Sequence, residues 1–158
     1  DYLLSTRVDN DDMLAKDFVE TLQKKLPLTH TSVVLTFTNG IQWFERKNMA
    51  FAVAYERNHF LNFWEEKQNI RTSLGVDHTT VQSKNLIKLH SPFMWCEIVH
   101  ENNISNGYVP KYHYSLDVST DLYPIDIKID KIQQCWFLTC EHVRFRCHQI
   151  LRFFTKPA

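Results

Sequence analysis

Apolar and polar positions along the chain alternate between short runs with a period of two and longer stretches with a period near four. These periods are the signatures of a strand with one buried face and of an amphipathic helix. "YLLSTRV", residues 2–8, is apolar at both ends and predicts a strand. From Met13 the residues Leu14, Phe18, Leu22 and Leu26 recur every four positions until Pro27, which predicts a helix that begins at the acids before it. "SVVLTFTNGIQWF" reads as two β-rich runs folded back at Asn39-Gly40, a dipeptide suited to a tight hairpin turn. A strand is predicted for Ala50 to Tyr55, a short helical turn near Phe60 to Glu66, and another strand for Met94 to Val99 with an Asn-rich turn after it. Residues 67–92 are polar and irregular, with weak strand signals around Thr79 to Gln82, and read as a loop-rich active-site region.

Residues 108–130 carry prolines and alternating charge, a linker composition. Beyond them Trp136, Cys140, Val143, Cys147, Ile150 and Phe154 fall at steps of four and three, a helical stripe with Arg144, Arg146, Arg152 and Lys156 alongside. Such a basic amphipathic helix fits two settings: packing on the domain or a partner subunit, or lying on an anionic membrane surface through residues 132–158. The pattern as a whole predicts a mixed α/β fold with flanking helices and a C-terminal amphipathic helix.

A chain of 158 residues, 44% apolar, can bury one ordinary core. Its 18 basic and 18 acidic residues cancel, so no global field draws it to nucleic acid. Three glycines and no phosphate-loop motif exclude a glycine-rich nucleotide cradle. The cysteines, Cys96, Cys135, Cys140 and Cys147, show neither zinc-knuckle nor disulfide-framework spacing, which predicts a reducing, cytoplasmic setting. No signal peptide or spanning run is present in the sequence. The chain opens in what reads as a buried strand, so it is expected to be a fragment of a longer protein.

Charge is nevertheless concentrated at "VDNDDM", where Asp9, Asp11 and Asp12 follow the first strand. Acids at the end of a strand can cap a helix, and two carboxylates two residues apart can also face one hard cation. Met13 stands where an EF-hand needs an oxygen ligand, which excludes that motif.

"TRVDNDD" followed by "MLAKDFVETLQ" resembles the metal-binding DxD segment of GT-A-type glycosyltransferases, most closely the rhamnosyltransferase group of bacterial surface polysaccharide synthesis. The resemblance continues through "FTNGIQWF", "NHFLNFWEE", Asp77-His78 and "FMWCEIVHENNISN", and covers residues 3 to about 107. It implies the C-terminal part of a GT-A-like mixed sheet with flanking helices, a catalytic region over 1–107 containing the metal and acceptor side, with the N-terminal nucleotide-binding half absent; the linker over 108–130 and the basic helix over 131–158 follow from composition and periodicity alone. By the same resemblance Asp11 and His100 would hold Mn²⁺ or Mg²⁺, and Arg7, Asp9 and Asn103 would bind the nucleotide sugar. Asp12 would cap the helix. An acid is needed to take the acceptor's proton. Asp77 is the first choice, with Glu66 and its neighbour Glu65 in reserve.

Glu97, Glu101 or Asn103 could orient His100, Trp95 reads as core or as a sugar platform, and His59, His78 and His90 carry no assigned role. The implied partners are a nucleotide-sugar donor and a glycan or lipid-linked glycan acceptor. The alternative is a non-catalytic metal-binding or protein-interaction domain.

Overall fold

The computed structural model describes residues 1–26, 32–75, 80–81, 86–100 and 113–154. In chain order the elements are β1 (Tyr2–Thr6), β2 (Met13–Leu14), α1 (Phe18–Lys24), β3 (Val33–Phe37), β4 (Asn39–Phe44), β5 (Met49–Ala54), β6 (Leu61–Glu66), β7 (Leu86–Leu89), β8 (Trp95–Val99), β9 (His113–Ser115) and α2 (Lys131–Phe154). They form two mixed sheets, one ordered β1-β6-β3-β7 and the other β2-β8-β4-β5-β9. Parallel pairing joins β3 to β7 and β4 to β8, and the remaining pairs are antiparallel. The mixed α/β class predicted from the sequence is the class observed.

Residues 67–92, read from the sequence as loop-rich, carry strand β7, which pairs with β3, and three further local predictions change, each for a tertiary reason. The first helix starts later than its period suggests, because Met13 and Leu14 pair with Cys96 and Trp95 of β8 and the Ala15 amide donates to the Met94 carbonyl. Pairing overrides propensity there, and only Phe18 and Leu22 keep the predicted buried face. Asn39-Gly40 is no turn. β3 and β4 lie in different sheets, and the observed hairpin joins β4 to β5 through a 3₁₀ turn and Asn48, whose φ of 46° puts it in the left-handed region. The helical turn expected near Phe60 to Glu66 is strand β6, which lies between β1 and β3. A polar Asn62 hides the apolar pattern of this central strand, yet it is fully buried and satisfied, accepting from the Thr6 hydroxyl and donating to the Leu35 carbonyl.

The main core joins both sheets and α1. Phe18 meets Phe37 edge-on at 5.2 Å, and Phe60 stacks on Trp95 at 5.1 Å. Trp95 is core, with its indole N–H donating to the Phe37 carbonyl at 2.8 Å. Residues 113–130, which have a linker composition, carry β9 and bury Tyr123 and Ile127. Tyr123 places its hydroxyl between the carbonyls of Phe93 and Trp95. Asp130 then caps α2 by accepting from the Gln133 amide.

The helix α2 docks through Gln134, Phe137 and Leu138. Gln134 donates to the Ala50 carbonyl, and Phe137 packs against Phe44 and Phe51 at 5.8 and 5.9 Å. Trp136 and Val143, members of the sequence stripe, face away from the domain and are exposed.

Gly40 sits opposite Trp95 in the parallel β4–β8 pair, and a Cβ there would lie 2.0 Å from the indole ring. The ring is buried and hydrogen-bonded, so it has nowhere to move. Gly40→Ala is expected to cost at least ~2 kcal/mol, at or above the middle of the range for overpacked cores. Urea denaturation measures this directly, and an unchanged midpoint would contradict the packing.

Candidate functional site

The chain crosses between the two sheets after β1 and again before β6, and these crossings meet beside β8. The β1–β6 register explains the meeting. Thr6 pairs with Asn62, so a continuation by three residues sets position 9 opposite position 59. The Arg7 amide donates to the Leu61 carbonyl, and a turn closed from the Asp12 amide to the Asp9 carbonyl gathers the acids.

Asp12 is the anchor of this arrangement, and its side chain is only 1% exposed. One oxygen accepts from the Ile98 amide of β8 at 2.9 Å, and the other lies 2.8 Å from His59 Nε2. Helix capping is not its role, since α1 begins after Asp17 and carries no side-chain cap. Beside it Asp11 Oδ2 lies 2.9 Å from His100 Nε2, a more accessible pair whose side chains are 32% and 26% exposed. Asp9 accepts from the Arg7 Nε–H at 3.2 Å. Two carboxylate–imidazole pairs thus stand side by side.

Glu97 on β8 completes the ring of charge. Its carboxylate accepts from the Gln42 amide at 2.9 Å, and the Tyr114 hydroxyl donates to Gln42 in turn. Burial raises the Glu97 pKa, and the charges of Asp12 and Asp11 push the same way against the His59 charge and the Gln42 hydrogen bond. For His59 burial acts downward, but the hydrogen bond to Asp12 and the charges of Asp12, Glu97 and Asp9 outweigh it and leave the pKa raised.

Asp9, Asp12 and His59 offer ligand atoms that all lie within 4.8 Å of one another. Carboxylate oxygens with imidazole nitrogen form a donor set for a hard or borderline divalent cation, and the nitrogen favours Mn²⁺ over Mg²⁺. Phe44, Arg46, Lys47, Val99 and His100 line a pocket of about 230 Å³ that opens next to the Asp11–His100 pair.

The remaining predicted residues separate into two groups. Asp77 and Asn103 lie outside the described residues. Glu66 pairs with Tyr2 at the other end of β6, roughly 17 Å along the strand from Leu61. Its neighbour Glu65 is buried and accepts from the Arg71 and Thr72 amides, a structural role. His59 carries no local sequence signal, and only the β1–β6 pairing would have found it.

A family model described as "Putative rhamnosyl transferase" matches residues 1–112. No curated protein and no solved structure matches the chain. The chain belongs to that rhamnosyl transferase family.

The raised pKa values fix the sign of a pH effect on the chelator-treated protein. His59 binds its proton more tightly folded than unfolded, so its stabilisation is full below about pH 6.5, the unperturbed value, and is lost as pH rises through the folded value. A raised Glu97 acts in the same direction, losing stability as pH rises through its own folded value. The denaturation midpoint in EDTA should therefore fall as pH rises above 6.5. His59→Gln should flatten that slope, and an equal slope in the variant would contradict the assignment. Asp12→Ala, which strands the Ile98 amide, should cost roughly 1.5–3 kcal/mol at pH 6 by the same measurement.

Proposed function

We propose that this member of the rhamnosyl transferase family is the metal- and acceptor-side region of a GT-A-type glycosyltransferase. The reaction passes a sugar from a nucleotide-sugar donor to a glycan hydroxyl in surface polysaccharide synthesis. The observation that carries this reading is the pair of carboxylate–imidazole contacts, Asp11–His100 and Asp12–His59, assembled from three separated stretches of chain.

The two pairs divide the work. Both Asp12 oxygens already accept hydrogen bonds in a closed setting, so Asp12 and His59 hold the loop in shape. Asp11 and His100 are the accessible pair and would hold Mn²⁺ or Mg²⁺. When bound, such a cation neutralises the charge that gathers on the departing nucleoside diphosphate. Asp9, steadied by Arg7, would accept hydrogen bonds from the ribose hydroxyls, and Asn103 would assist. His100 ligates through Nε2 only with its proton on Nδ1, a tautomer that a neighbouring acceptor must hold.

The pocket beside His100 is a fitting place for the acceptor, with Phe44 and Val99 for a sugar face and Arg46 and Lys47 for polar groups. The acceptor hydroxyl must lose a proton as it attacks. Asp77 remains the carboxylate proposed for this from the sequence, and Glu97 is a second candidate because it already stands among the site's charges.

Calorimetry with a nucleoside diphosphate tests the binding half. Mn²⁺ should be required, and Asp11→Asn or His100→Gln should weaken nucleotide binding at least tenfold while Glu66→Gln leaves it unchanged. Nucleotide binding that ignores both the metal and Asp11→Asn would overturn the reading. Metal binding with no nucleotide dependence would favour a non-catalytic metal-binding domain. In turnover assays Asp77→Asn or Glu97→Gln should lower kcat by roughly 10²- to 10⁴-fold, whichever is the base. Full rates in both variants would remove both candidates.

A further inference from the structure

The 24-residue helix α2 is about 36 Å long and carries two different faces. Its docked face holds Gln134 and Leu138, buried against the domain, with Phe137 half-buried beside them. The opposite face carries Ile132, Trp136, Cys140, Val143 and Cys147, spaced by four, four, three and four, all exposed. Ile132 is 85% exposed, Trp136 70% and Val143 58%, so a continuous apolar row points away from the protein. This row coincides with the stripe read from the sequence, and the fold leaves it uncovered.

Charge along the helix decides what could cover it. At 100° per residue Arg146 flanks the row on one side and Arg144 on the other, each about 80° from its centre. Glu141 is the one acid between 131 and 154, and it lies on the docked side of the helix. Arg144 approaches it at 3.6 Å while its own side chain stays 82% exposed. The outward face is therefore apolar along its centre, cationic at its margins and free of acids.

We propose that this outward face of α2 lies on an anionic lipid surface. An apolar row sinks to the level of the headgroups while the flanking Arg144 and Arg146 stay among lipid phosphates, the arrangement of interfacial helices. Trp136 suits that depth, since its ring is apolar and its N–H needs a polar partner. The helix does not cross the bilayer, because no described helix is long and apolar enough. A second copy of the chain fits the same face poorly. Two-fold pairing would bring Arg144 and Arg146 of the two copies together with no acid on that face to meet them. The contact would hold the protein flat against a membrane, and it stands whether or not the proposed sugar transfer is correct.

Flotation of the full chain with vesicles tests this directly. Vesicles of 70% phosphatidylcholine and 30% phosphatidylglycerol should carry the protein, and pure phosphatidylcholine should carry it at least tenfold less. Each cation near the surface contributes about fivefold in partitioning at low salt, so 0.5 M NaCl should release most of it. Ile132→Ser with Trp136→Ser should cut binding at least tenfold, as should Arg144→Gln with Arg146→Gln, with circular dichroism confirming that the helix is retained. Lipids brominated on their acyl chains should quench wild-type fluorescence more than that of Trp136→Phe. The proposal fails if neither vesicle binds, if both bind equally, or if the folded variants bind like the wild type. It also fails if light scattering shows a dimer that the Ile132/Trp136 variant abolishes, which would assign the face to self-association.

Discussion

A carboxylate with 1% exposure is tolerable only if its oxygens are satisfied, and Asp12 meets that demand by binding two other parts of the chain. Its contacts to the Ile98 amide and to His59 tie the loop after β1 to the strand β8 and to the approach of β6. The turn held in this way projects Asp11 toward His100 and leaves Asp9 beside Arg7. Neither of these contacts would persist with the loop loose. The buried acid thus fixes the positions of the accessible ones.

The core makes the same demand from beneath. Trp95 packs on Gly40 and Phe60 and donates to Phe37, so β8 is locked to both sheets one residue before Cys96 and two before Glu97. Burial and the nearby Asp12 and Glu97 charges push the Cys96 thiol well above its usual pKa, which keeps it a neutral core group. A rigid strand then carries Glu97 and the Ile98 amide to the site at fixed spacing, and His100 follows directly after its end. Catalytic and ligating groups supported by paired strands are held more closely than groups on open loops.

The sequence made the strands β1, β5 and β8 legible because each is apolar, β-rich and bounded by turn residues. It also revealed Asp9 and Asp11, whose density in a chain of zero net charge stands out without any structure. Long-range pairing was not legible. The helix after the acids was overestimated because Met13 and Leu14 obey a helical period while β8 claims them, and β6 was misread because Asn62 interrupts an apolar run that is buried on both sides. His59 gave no local signal, since its part in the site exists only through the register of β1 on β6. Asn39-Gly40 misled for a related reason, as the glycine answers to a ring 55 positions away in sequence and not to a turn.

The central claim is that these acids and imidazoles form a divalent-cation site, and anomalous scattering addresses it without relying on any substrate. In crystals grown with Mn²⁺, data collected at the manganese edge should show one strong peak within coordinating distance of Asp11 and His100. Asp12 should still be bound to His59 and the Ile98 amide. A map with no peak at this cluster, or with manganese held only elsewhere on the molecule, would contradict the account.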